Sequence, residues 1–189
     1  MHKIKIVLGS KSPRRQELIK ELGIPFEVRT KEVEENYPSD LPVKEVAGYL
    51  AKLKAQPLIP TLRENEVLLT SDTVVLNQGI ILGKPIDKED AIQTLRKLSG
   101  GVHEVITGVH MQSLNKELTF SNCTKVYFSE LTEEEITEYV QEFNPLDKAG
   151  SYGIQEWIGL IGVKKIDGCF YSVMGLPVND VYQHLKEFN

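Results

Sequence analysis

The apolar positions of this chain change their period several times, and each change marks an element. In "KIKIVLGS" the residues first alternate and then run apolar, which predicts a strand of about 3–8. Past Pro13 the spacing turns helical, with Leu18, Ile19 and Leu22 on one stripe of a helix of about 13–22. Residues 25–29 read as a short strand, followed by an acidic loop through Pro42. A helix of about 43–58 then gathers Val43, Val46, Ala47, Leu50, Ala51, Leu53, Ala55 and Leu58 on one broad apolar face. The run "EVLLTSDTVVL" predicts a strand of about 66–76, and "LNQG" turns it back into "IILG" as a hairpin.

Start and stop signals place the rest. "DKEDAIQTLRKLSGG" is a helix with Asp87 at its cap, Asp90 in the first turn and a glycine stop. Strands of about 103–113 and 117–128 flank the turn "LNKE". "TEEEITEYVQEF" opens with a capping box, Thr132 to Glu135, and is expected to bury Ile136, Tyr139, Val140 and Phe143. The tail predicts a β-hairpin about "KKIDGCFY" and a helix starting near "GLPVNDVYQHL". This alternation, without repeats or composition shifts, implies one mixed α/β domain over residues 1–189.

Composition narrows the function classes. The chain is 41% hydrophobic and 26% charged, with apolar runs of only a few residues, so no membrane span is expected. "MHKIKIVLGS" lacks the apolar core and cleavage site of a signal peptide. Cys123 and Cys169 lie far apart with no CxxC, against a disulfide framework or thiolate zinc site, and the cytoplasm is the expected compartment. The net charge of −5 argues against a nucleic-acid partner, which needs a broad basic face. A basic spot at "KSPRR" on an acidic protein suits a small, multiply charged anion.

Three places put charge where the local pattern does not ask for it. In "SKSPRR", Ser12 is a natural N-cap and Pro13 fits the first helical position, so free backbone N–H groups stand beside Arg14 and Arg15. Cations are mildly unfavourable there, and an anion between them reverses the sign. A capped surface helix with incidental charges fits the same pattern, and no Walker loop is present. Lys54 projects near the middle of the 43–58 apolar face, whereas Lys52 points the opposite way. A lysine there needs a partner, a cleft with a phosphate, or a path to snorkel out. Asp72 sits in "TSDT" inside a β-branched strand, where a carboxylate serves as metal ligand, general base or partner to a buried cation. Lys84 follows on a Gly-Lys-Pro turn, joined to Asp72 through the hairpin. The segment "DKAGSYGIQ" reads as a loop whose Gln155 can donate and accept at the edge of a planar base.

"SKSPRR", "SDTVV", "LGKP", "LRKLSGGVHEVITGV", "PLDKAGSYGIQ" and "VMGLPV" occur in this order across nearly the whole chain. Together they resemble the Maf family of septum-formation-inhibitor-like, house-cleaning nucleoside triphosphate pyrophosphatases. The resemblance implies an elongated α/β domain with a long twisted mixed sheet, flanking helices and a cleft, similar to inosine-triphosphate pyrophosphatases. It implies hydrolysis of a nucleoside triphosphate to NMP and pyrophosphate with Mg²⁺ or Mn²⁺. The family branch with "DT" and "YGIQ" acts on dTTP, UTP and some modified pyrimidine triphosphates; the branch acting on 7-methyl-GTP carries "DQ". Thr73 and Gln155 resemble the first branch. By matching motif, Asp72 is the catalytic proton acceptor, and Arg14, Thr73 and Gln155 bear on base choice. Arg15, Glu35, Lys54 and Lys84 match positions at the phosphate and metal end, with Glu34 an alternative to Glu35. Gly9 stands where Ala is common, Ser71 where Gly or Ala is common, and Glu156 where Gly is usual.

The mechanism so implied has Asp72 and Glu35 holding the metal while Asp72 takes the proton of the attacking water. Arg14, Arg15, Lys54 and Lys84 clamp the phosphates. It requires the arginine turn and Asp72 to converge. A non-catalytic nucleotide-binding regulator of cell division is the alternative. A kinase-like transferase is disfavoured because its signatures are missing. A chain of this size fits a monomer or a homodimer.

Overall fold

In a computed structural model, residues 4–188 are described. The elements run β1 (Lys5–Leu8), α1 (Pro13–Glu21), β2 (Phe26–Val28), α2 (Val46–Ala55), β3 (Glu66–Asn77), β4 (Ile80–Leu82) and α3 (Lys88–Leu98). Then follow β5 (Val102–Gln112), β6 (Glu117–Phe128), α4 (Glu133–Phe143), α5 (Trp157–Gly162), β7 (Val163–Asp167), α6 (Phe170–Met174) and α7 (Val178–Leu185). The strands form one mixed sheet of seven in the order β2-β1-β3-β5-β6-β7, with β4 also on β3. β1 is parallel to β2 and β3, whereas β4 on β3 and β7 on β6 are antiparallel. The α/β class read from the alternation is therefore the class observed.

The chain forms two compact units. The first comprises residues 1–72, 107–122 and 175–189, and the second residues 73–106 and 123–174. In the first, β1 enters the sheet with Ile6, Val7 and Leu8 fully buried after a partly exposed Lys5. Ala55 and Leu58 pack with Val7 and Leu68 beneath it. Two features fix α2. Thr70, buried in β3, donates its hydroxyl to the Ala51 carbonyl at 2.7 Å. Gly108 of β5 lies so near the first turn of α2 that a Cβ there would stand 2.2 Å from the Ala47 carbonyl carbon. The lack of a side chain is thus a packing requirement. At the outer edge, Arg29 closes β2 onto β3 by donating to Glu66, which is buried, at 3.1 Å.

In the second unit α3, α4 and α5 bury Leu95, Leu98, Ile136, Tyr139, Val140 and Ile158 with Val105, Val126 and Phe128 of the sheet. Asp87 caps α3 by accepting from Asp90 N at 2.8 Å, and the Thr132–Glu135 capping box of α4 forms in both directions. Sequence and structure part at four places. The helix expected over 43–58 is shorter, because residues 43–45 are turns and Val43 is exposed. Phe143 is 42% exposed, since it is the last residue of α4 and stacks along the helix on Tyr139 before Asn144 turns left-handed. "KKIDGCFY" makes no hairpin: β7 pairs back on β6, and Thr124 of β6 binds both the amide and the carbonyl of Cys169. A side chain closes that turn, and α6 follows in place of a return strand. The segment 147–155, read as a loop, sends Tyr152 and Ile154 into the core.

Candidate active site

The turn from β1 into α1 is built from small residues that let the backbone run close to β3. A Cβ on Gly9 would meet Thr70 Cγ2 at 2.5 Å. Ser10 Oγ accepts from Ser12 N at 3.2 Å, and Ser12 Oγ accepts from Arg15 N at 3.5 Å as the cap of α1. Pro13 takes the first helical position, as its fixed φ favours. The helix therefore starts beside β3, and the Arg15 guanidinium reaches the strand itself: Nη1 donates to the Ser71 carbonyl at 2.7 Å. Its Nε donates to the Gly175 carbonyl at 2.8 Å. Burial pushes the Arg15 pKa below its usual value, and the negative charge of Asp72 opposes that shift. Arg14 stands next to it, partly exposed.

Asp72 is 9% exposed, an acid flanked by Thr70, Ser71 and Thr73 at the middle of an otherwise apolar strand. The lysine predicted on the apolar face of α2 is its partner: Lys54 Nζ donates to Asp72 Oδ1 and lies 3.1 Å from Glu35 Oε1. Lys52 points the other way, to Glu117 at 3.2 Å in solvent. Of the two carboxylates offered by "VEEN", Glu35 reaches Lys54 while Glu34 accepts from Asn36. The first unit thus brings together Arg14, Arg15, Glu35, Lys54 and Asp72 from α1, the acidic loop, α2 and β3. No group of three or more His, Cys, Asp or Glu arranged to hold a metal occurs among the described residues. Asp72 and Glu35 are the two carboxylates gathered on Lys54.

Thr73, Lys84 and Gln155 belong to the second unit. Thr73 is partly buried in β3, and Lys84 is exposed on the turn after β4. The Gly83 carbonyl accepts from Gly150 N at 3.2 Å, which seats the "GKP" turn against the "AGS" turn. Gly150 has φ 70°, and a Cβ there would meet Val75 at 2.9 Å. Gln155 is exposed, but the loop under it is held hard. Tyr139 Oη donates to Glu156 and accepts from Gly153 N at 3.0 Å, while Lys148, itself buried, lies 3.2 Å from Glu156. Behind the loop, the Tyr152 hydroxyl and His103 Nε2 share a hydrogen bond of 2.7 Å. Burial pushes the His103 imidazole down to about 4.

Sequence reasoning did not find Gly175 as a partner of the arginine turn, nor Glu156, Tyr139 and Lys148 as supports of Gln155. Ser71 and "VMGLPV" were visible, but nothing local links them to Arg15, 160 positions from Gly175.

An acid in a buried strand, bridged by a lysine and approached by an arginine turn, defines an α/β protein with a half-buried acid–cation centre. The Maf-like protein family model matches residues 5–188, and the chain belongs to that family. A dTTP/UTP pyrophosphatase of Phocaeicola vulgatus is 48% identical over 188 residues, covering 99% of this chain and 97% of its own. One of Flavobacterium psychrophilum is 51% identical over 181 residues, covering 96% and 93%. The structure of the Staphylococcus aureus Ham1 protein superposes with a TM-score of 0.54 at 14% identity, over 98% of this chain and all of that one, a likeness of fold. No helix among the described residues is long and apolar enough to cross a membrane.

Proposed function

We propose that this protein hydrolyses dTTP and UTP to the nucleoside monophosphate and pyrophosphate, a house-cleaning reaction in the cytoplasm. The observation that carries the reading is the Asp72–Lys54–Glu35 cluster beside an arginine turn anchored at residue 71. The proposed reaction is attack of water on the α-phosphorus: one O–P bond forms, the α–β anhydride bond breaks, and pyrophosphate leaves with the electron pair. Asp72 accepts the proton of that water, with Lys54 holding the carboxylate in place until substrate arrives. Lys54 and Arg14 offset the charge of the phosphates and of the leaving group. Thr73, Lys84 and Gln155 are assigned by family resemblance, Lys84 to phosphate and the other two to the pyrimidine. Exposure of Lys84 and Gln155 on rigidly held turns supports this assignment.

Mg²⁺ fits the acidic pair, because it is commonly bound by one or two carboxylates plus substrate phosphates. Asp72 and Glu35, both within bonding reach of one ammonium, are the residues that would hold Mg²⁺ or Mn²⁺. The ion would supply charge neutralisation and a more acidic water. Incubation with dTTP, UTP and other triphosphates plus Mg²⁺ or Mn²⁺, with chromatographic separation of products, tests the reading. NMP and pyrophosphate from the pyrimidine substrates are expected. Tight binding without products points to a nucleotide-sensing regulator, and release of NDP excludes the proposed bond cleavage.

A further inference from the structure

We infer that Arg15 serves this reaction as a positioning residue, holding the backbone that carries Asp72, and not as a clamp on the substrate. Three bonds close a ring. Arg15 Nη1 donates to the Ser71 carbonyl at 2.7 Å, Arg15 Nε donates to the Gly175 carbonyl at 2.8 Å, and Ser71 Oγ donates to that same Gly175 carbonyl at 3.0 Å. The Ser71 carbonyl belongs to the peptide unit that joins Ser71 to Asp72. Fixing it fixes the plane from which the Asp72 side chain leaves the strand. Ser71 is 1% exposed, so its hydroxyl cannot turn to water for a replacement partner. Gly175, whose carbonyl takes both donors, has φ 115°, a conformation that L side chains rarely adopt.

Arginine alone among the cations provides two donors at a fixed angle, matched here to two carbonyls that converge from β3 and from the segment before α7. Lysine's donors all leave one atom, so it cannot reproduce the separation of Nε and Nη1 that places one donor on each carbonyl. A residue that grips phosphate is expected to present its fork to the ligand, whereas Arg15 presents Nε and Nη1 to its own chain. The position of Asp72 is then set from two sides, by Lys54 on the carboxylate and by Arg15 on the preceding carbonyl. This inference rests on the proposed role of Asp72 in triphosphate hydrolysis.

The experiment uses the full chain with dTTP and Mg²⁺, reading kcat, KM, inhibition by pyrophosphate and Tm. Wild-type release of NMP, measured first, tests the functional reading separately. Arg15→Lys is expected to lower kcat about 10²-fold, the scale of an ångström-sized misplacement, with KM and the pyrophosphate inhibition constant within about threefold. Ser71→Ala keeps Arg15 and removes one hydrogen bond; it is expected to lower kcat roughly 3- to 10-fold, again without a change in KM. Arg14→Lys, by contrast, weakens pyrophosphate inhibition. A tenfold rise in KM and in the pyrophosphate constant for Arg15→Lys, with kcat kept, overturns the inference. So does a lower Tm in Ser71→Ala with kcat unchanged. If Arg15→Lys does not fold, Ser71→Ala decides. The ring is also read without turnover: amide hydrogen exchange in Ser71→Ala should rise in residues 70–74 and 174–177, and unchanged exchange there overturns it.

Discussion

Substituting Gly108 by alanine tests whether the packing of α2 sets the chemistry. The Cβ introduced by Gly108→Ala would lie 2.2 Å from the carbonyl carbon of Ala47, 2.3 Å from its oxygen and 2.3 Å from Gly48 N. All three are backbone atoms, so no side chain can swing aside. Reaching ordinary contact at 3.4 Å requires the first turn of α2 and β5 to part by about 1.2 Å. Overpacking of this kind costs about 1–3 kcal/mol. For a chain of 189 residues each kcal/mol lowers Tm by roughly 2–4 °C, so a fall of about 2–12 °C is expected. Lys54 rides on the same helix, seven positions from Ala47 and three from Ala51, which Thr70 ties to β3. A rigid shift carries Lys54 away from Asp72 by the full displacement, and a pivot at Ala51 carries it by less. Misplacement near 1 Å can cost up to about 10²-fold, so kcat/KM should fall by roughly 10- to 100-fold. Scanning calorimetry and dTTP turnover measure both effects. Gly83→Ala is the control for stability, because a Cβ there meets nothing within 4 Å. A Gly108→Ala protein with Tm within 1 °C of the parent and turnover within twofold would refute this account of α2.

Asp72→Asn keeps the size of the side chain and removes the proton acceptor, so turnover should drop at least ~10²-fold, with the fall in Tm limited because Glu35 stays on Lys54; near-normal dTTP hydrolysis would exclude Asp72 from the mechanism. Glu35→Gln should raise the Mg²⁺ concentration needed for half-maximal rate several-fold, whereas Glu34→Gln should not; the reverse result would move the acidic partner by one residue. Removal of divalent ions with EDTA should abolish turnover and added Mg²⁺ or Mn²⁺ restore it, while activity persisting in EDTA would leave Asp72 and Glu35 without a metal role. His103 takes a proton near 6.5 when unfolded but only near 4 when folded. Between those values the unfolded state binds more protons, so stability falls as the pH drops from 6.5 towards 4, by about 1.4 kcal/mol per unit. Thermal melts across that window should be steeper for the parent than for His103→Gln, which cannot titrate, and equal slopes would contradict the assignment.

What could be read from the sequence was what is decided locally. Ser12, Asp87 and Thr132 announce helix starts because a cap acts within three residues. Lys54 stood out on a helical projection and Asp72 in an apolar strand, each as a charge in need of a partner. That they answer one another is a tertiary fact, across 18 residues and two elements. The same holds for Arg15, whose acceptors at Ser71 and Gly175 are backbone carbonyls and leave no trace in residue type. The expected hairpin at "KKIDGCFY" failed because the alternating pattern does not reveal that Thr124 closes the turn. Glu34 and Glu35 are alike in sequence, and the course of the acidic loop separates them.

The support under Gln155 has a consequence for how such a chain can diverge. Lys148, itself buried, pairs with the half-buried Glu156 and with the exposed Asp147, and Tyr139 donates to the Glu156 carboxylate. Loss of Lys148 leaves the Glu156 carboxylate without its cation in a poorly hydrated place, a step that costs up to about 3–5 kcal/mol, whereas loss of Glu156 leaves Lys148 paired with Asp147 at 2.8 Å. The two charges are therefore unequal: Glu156 depends on Lys148 more than Lys148 depends on Glu156. Descendants that retune the neighbouring loop can give up Glu156 first, whereas Lys148 can change at little cost only once that carboxylate is gone, so drift in this corner has a preferred order.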